Sequence, residues 1–95
     1  GLGASQLDEL GLVCGQIWEE VAYSPGVIET SVTTALTDGS IHLVVEGRAS
    51  EEALPSSGTD WSSNLTKIVV GHLTSTLTLH RSRDTIRIEA DFPAA

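Results

Sequence analysis

The chain has 95 residues, a formal net charge of −8, 40% hydrophobic and 19% charged residues, no methionine and one cysteine. That length bounds it to a single domain, residues 1–95, with one thin core, because so short a chain buries only about 60–65% of its unfolded surface. The acidity speaks against nucleic acid, whose phosphates are met by cationic side chains, and against anionic membrane surfaces. A lone cysteine excludes an internal disulfide and a cysteine metal cage.

The start, GLGASQLDELG, lacks a cationic patch followed by an apolar run. No stretch approaches the ~18 apolar residues of a membrane span, so the expected location is the cytoplasm. From Leu7 onward, Leu7, Leu10, Val13, Cys14, Ile17, Trp18 and Val21 recur at helical spacing. At 100° per residue they fall within ~140° of arc, which predicts an amphipathic helix with one buried stripe. Ser5 and Asp8 suit a capping box, and Ser24-Pro25-Gly26 a stop.

Next, Ile28, Val32 and Leu36 lie on one side of an extended run, with Thr30 and Thr34 between them. Ile41, Leu43 and Val45 repeat the pattern after Asp38-Gly39, so two antiparallel strands with one buried face are expected around a tight turn. Residues 47–60 are polar and carry Pro, Gly and the pair Glu51-Glu52, and are expected to form a loop. Trp61, Leu65, Ile68, Val69, His72 and Leu73 then predict a second helix behind a cap at Thr59 or Asp60. Leu77 and Leu79, matched by Ile86, Ile88 and Ala90 across Ser82-Arg83-Asp84, predict a second hairpin. The order helix, strand, strand, helix, strand, strand gives an α+β two-layer sandwich, with two helices on one face of a four-stranded, mainly antiparallel sheet. The opposite face carries Thr, Ser, Glu, Arg and His and can meet water.

Within this frame the chemistry-bearing residues are sparse. Glu19 and Glu20 are adjacent on a helix, so they point in different directions and make no acid–base pair; both read as surface charges. Cys14 falls in the apolar stripe and reads as a structural thiol. His42, His72 and His80 lack zinc spacing, and no metal is expected. His72 belongs with the second helical stripe. Arg81, Arg83 and Arg87 cluster along the last hairpin and are candidates for contact with an acidic partner. Glu51, Glu52 and Trp61 are further candidates for a protein contact, with Trp61 also able to anchor the loop's end to the core.

Three segments, LDELGLVCGQIWEEV, DGSIHLVVEG and NLTKIVVGHLTSTLTLHRSRDTIRIEADFP, carry a resemblance over most of residues 7–93. They resemble the Bergerat-type ATP-binding domain of histidine kinases and of anti-sigma-factor serine kinases, most closely the small bacterial anti-sigma factors. In that family a first-helix glutamate polarises the attacking water or hydroxyl, and an asparagine four residues later ligates Mg²⁺. The resemblance places these at Gln16 and Glu20. The adenine loop, Asp-x-Gly-x-Gly, corresponds to Gly47-Arg48-Ala49-Ser50-Glu51, so its aspartate is Gly47 and its glycines are Ala49 and Glu51. The family's strand and helix ahead of the first conserved helix have no counterpart in the residues before Leu7. Gln16, Glu20, Gly47, Ala49 and Glu51 are thus degenerate cofactor positions, and no cofactor is expected. The resemblance implies a regulatory protein-binding pseudo-enzyme in bacterial transcription control, with a sigma factor or its antagonist as partner. Two alternatives remain at this point: an active ATP-dependent anti-sigma kinase, or a dimerisation domain of a larger signalling protein that pairs with its own copy.

Overall fold

The computed structural model describes residues 3–24, 26–49, 61, 64–82 and 84–93. Their order is α1 (Ala4–Ala22), β1 (Val27–Thr37), β2 (Ser40–Ala49), α2 (Asn64–Leu73), β3 (Thr76–Arg81) and β4 (Thr85–Pro93). This is the α+β class and the α-β-β-α-β-β order that the apolar periodicities predict, with both helices packed against one face of the sheet.

The helix α1 starts earlier than its apolar stripe. Gly3 is the cap residue, and its N–H donates to Gln6 Oε1 at 3.0 Å. The back-reaching half of a capping box therefore comes from Gln6, not from the Ser5 and Asp8 pair. At the other end Tyr23 N–H reaches Glu19 O at 3.0 Å, and Ser24 Oγ donates to Glu20 O at 2.7 Å. Gly26 then turns the chain at a φ of 85°, a left-handed conformation that only glycine adopts without cost.

The sheet runs β1-β2-β4-β3, antiparallel throughout. Gly39, at a φ of 72°, closes the first hairpin beside Asp38, with Thr37 opposite Ser40. Register fixes the faces. Leu43 lies between Thr34 and Ala90, Val45 between Val32 and Ile88, and Gly47 between Thr30 and Ile86. On β3, Leu77 meets Ala90, Leu79 meets Ile88 and Arg81 meets Ile86. All of these point to the helix side.

The core gathers Val13, Ile17 and Val21 of α1, Leu43, Val45 and Ala49 of β2, Val70 of α2, Leu79 of β3, and Ile86, Ile88 and Phe92 of β4. Leu10, Cys14, Ile41, Trp61, Leu73 and Leu77 close its margin. Each such aliphatic or aromatic side chain is worth about 1.5–3 kcal/mol when fully buried. The weight therefore falls on β2 and β4, which lie beneath α1.

Several expected core positions are not in the core. On β1, Val27 packs against the core margin opposite Ala49, but Val32 and Leu36 on the helix side and Ile28 at the register shift are exposed. α1 lies over β2 and touches β1 and β4, so its width does not reach across the outermost strand. α1 is also rolled about its axis relative to its apolar stripe. Glu20 is buried, whereas Leu7 and Trp18 at the far rim of the stripe are exposed. On α2 it is Val70 that is buried, while Leu65, Ile68 and His72 face outward. Apolar residues cover two sides of α2, and among the described residues only the side toward α1 and β3 has a partner.

Candidate interaction surface

Of the positions that the resemblance assigns to a nucleotide, Glu20, Gly47 and Ala49 are buried. Glu20 Oε2 accepts from Arg81 Nη2 at 3.1 Å, with the two side chains only 2% and 13% exposed. Glu20 is thus not a surface charge, and Arg81 is not a free docking residue. The cross-strand register aims Arg81 at the helix layer, where α1 delivers the carboxylate. Gln16, one turn earlier, accepts a hydrogen bond from the Thr66 hydroxyl of α2 at 3.3 Å. Gly47 is buried beneath α1: a Cβ there would stand 2.6 Å from Val21 Cγ1 and 3.1 Å from Ile86 Cγ2. Ala49 is a core residue, and its N–H donates to Asp84 O at 2.7 Å.

The arginine cluster expected on the last hairpin is split between two faces. Arg81 points inward, whereas Arg87 lies on the open sheet face, 2.9 Å from Glu89 and 3.6 Å from Glu46. Trp61 is half-buried against the core, as an anchor would be. Arg83, Glu51 and Glu52 lie outside the described residues.

The open face does hold one ordered polar constellation. His42 Nδ1 donates to Asp91 Oδ1 at 2.7 Å, and Thr76 Oγ1 donates to Asp91 Oδ2 at 2.6 Å. The three residues stand side by side on β2, β4 and β3. The hydrogen bonds from Thr76 and then His42 hold the Asp91 carboxyl below its usual range. His42 Nε2 lies 3.9 Å from Glu89 Oε1. Among the described residues no three His, Cys, Asp or Glu side chains are grouped to hold a metal ion. Burial raises the pKa of Cys14, which disfavours its reactive thiolate.

What the structure brings together instead is an apolar tract at the β1 edge. Val32 is 47% and Leu36 79% exposed, and both point to the helix side of the sheet, beside Thr30 and Thr34. Above them runs one flank of α1. The flank carrying Gln16 faces α2; Cys14 and Trp18, each two residues away, lie about 200° round the helix and so on the β1 flank. Leu7, Gly11 and Ala22 share that flank by the same spacing, and no charged residue falls on it. Trp18 is 40% and Leu7 55% exposed. The floor of the tract is β1 and its wall is α1.

The signal for this tract was in the sequence, in the Val32 and Leu36 spacing that predicts a buried face, whereas the register shift at Ile28 was not. Spacing reports which residues share a face, not whether another element covers it. A second, shallower groove of about 510 Å³ follows the outer side of α2, lined by Asn64, Lys67, Ile68, Gly71 and His72. Among the described residues no helix is long and apolar enough to cross a membrane. No protein-family model, no curated protein and no solved structure matches this chain.

Proposed function

We propose that this chain is a non-catalytic protein-binding module, regulatory in the manner of the anti-sigma factors that its sequence resembles. The observation that carries this reading is the uncovered apolar tract formed by Val32 and Leu36 of β1 beneath Trp18 and Leu7 of α1. Contiguous apolar surface of this kind marks sites of protein contact. The filled positions around Glu20 and Gly47 support the absence of a nucleotide role. A sigma factor or its antagonist as the partner rests on the sequence resemblance alone.

The test combines two measurements on the same protein. Calorimetric titration with Mg-ATP is expected to give no binding. A photo-reactive phenylalanine analogue placed at Val32 or Leu36 is expected to form protein adducts in cells. The same group at Glu89, on the opposite sheet face, is expected to form none. Micromolar nucleotide binding, or adducts from Glu89 with none from the β1 positions, would overturn the reading.

A further inference from the structure

Building on the protein-binding reading, we propose that the occupant of the tract is a second copy of this chain, joined by antiparallel β1–β1 pairing about a two-fold axis at Val32. The two edges of the sheet are built differently. β3 has six residues, packs against α2 and turns the charge of Arg81 inward. Short length, a covering helix and an inward charge are the devices that keep an edge from pairing. β1 has eleven residues, VIETSVTTALT, with no proline and no cation. Among the described residues no strand pairs with its outer side. Its one charge, Glu29, is held by Arg48 at 2.5 Å on the open face.

The sequence of β1 can pair with its own copy about Val32. A two-fold axis normal to the sheet keeps each side chain on its own face, so directly opposed residues must share a face. With the axis at Val32, Val32 meets its own copy, Thr30 meets Thr34, Ser31 meets Thr33 and Glu29 meets Ala35. Ile28 is the extra residue where the β1–β2 register shifts, and Val27 beyond it lies opposite Ala49 on the helix side. Moving the axis to Thr33 or Ser31 sets Val32 against Thr34 or Thr30. The Val32 axis sets Val32 against its own copy and opposes no like charges, although each chain carries a net −8.

The helix layer fits the same axis. Val21 stands over Gly47, which lies opposite Thr30. Three residues back along α1 is about 4.5 Å and two residues along the strand is about 6.6 Å, so Trp18 sits near the level of Val32. With α1 above β2, the two copies of α1 would run antiparallel about 14 Å apart, three strand spacings. Helices in contact lie 8–10 Å apart, so the gap takes about one layer of large side chains. Trp18 and Leu7 from each copy supply it. A strip about 37 Å long and no deeper than the 17 Å thickness of the molecule offers at most roughly 600 Å² per copy and about 1,200 Å² in all. A specific interface starts at about that size.

Sedimentation equilibrium on the wild type, V32K, V32E and an equal mixture of the two variants tests this, with helix content and thermal midpoint as controls for folding. Val32 is half-exposed at an edge, so both variants should fold; L36K, at the more exposed position, is the second variant should either fail. The wild type is expected at twice its 10.0 kDa mass. Each charged variant alone is expected as a monomer, because the axis sets like charges side by side. Their mixture is expected to recover a dimer through a Lys–Glu pair. A dimer that persists in folded V32K, or a mixture that stays monomeric, overturns the β1 pairing. A monomeric wild type whose Val32 photo-adducts are to another protein overturns the second copy and keeps the protein-binding reading. A monomeric wild type without adducts overturns both.

Discussion

Glu20 and Arg81 are 61 residues apart in sequence and meet at 3.1 Å in the structure. Removing one partner of a buried pair costs about 3–5 kcal/mol, because the other keeps its desolvation cost without its counter-charge; replacing both with apolar groups is often close to neutral. Arg81→Met is therefore expected to lower unfolding free energy by about 3 kcal/mol, and Glu20→Leu/Arg81→Met together by no more than about 1 kcal/mol. Urea denaturation of the two proteins measures both. Asp91 gives a pH prediction. Its folded pKa is lowered by Thr76 and His42, so its contribution is present above the unfolded carboxylate value, about 3.9, and is lost as pH falls through the folded value. Comparing thermal midpoints of the wild type and Asp91→Asn from pH 6 down to pH 2 should show a difference that shrinks below about pH 4. Neither contact was legible from residue types alone. An isolated Glu on a helix and an Arg in a hairpin read as surface, and the sheet register alone turned Arg81 inward.

At the scale of elements, the hold of α1 on the sheet is set where Val21 crosses Gly47. The close approach leaves no room for a side chain, so Gly47→Ala forces Val21 and Ile86 to move. Overpacking of this kind costs about 1–3 kcal/mol, and the thermal midpoint of Gly47→Ala is expected to fall accordingly. An aspartate at this position would meet the same wall. The closeness of α1 here is thus incompatible with restoring the adenine-loop residue that the resemblance expects. The existence, type and order of the elements were readable from apolar spacing, including the Asp38-Gly39 turn and the Leu77, Leu79, Ile86, Ile88 pairing. The roll of α1 was not. Its stripe centres between Leu10 and Val21, yet Glu20 enters the core because Arg81 awaits it. Trp18 and Leu7 leave it because, among the described residues, no second helix covers β1 beyond α1.

Across the whole molecule, charge and apolar surface are segregated. Glu29, Glu46, Arg48, Arg87, Glu89, His42 and Asp91 are ordered in pairs on the open sheet face. The tract at the β1 edge carries no charge. A chain at −8 repels itself, and added salt screens exposed charges over about 10 Å at 0.1 M. Raising ionic strength is therefore expected to raise the thermal midpoint, and a salt series from about 0.02 M to about 0.3 M measures it. The same series in folded V32K separates screening within one chain from screening between copies.

By itself, the amino-acid sequence determined the class and order of the fold, the Asp38-Gly39 turn, and, away from the register shift at Ile28, which strand residues share a face, because strand and helix periods are local geometry. It also determined the acidity and the single thiol. The tertiary structure decided which of those faces are covered. Coverage depends on where a helix comes to rest across a sheet, a property of distant segments meeting. That is why Glu20 and Arg81 are inside, Leu36 and Trp18 are outside, and β1 is left as an edge.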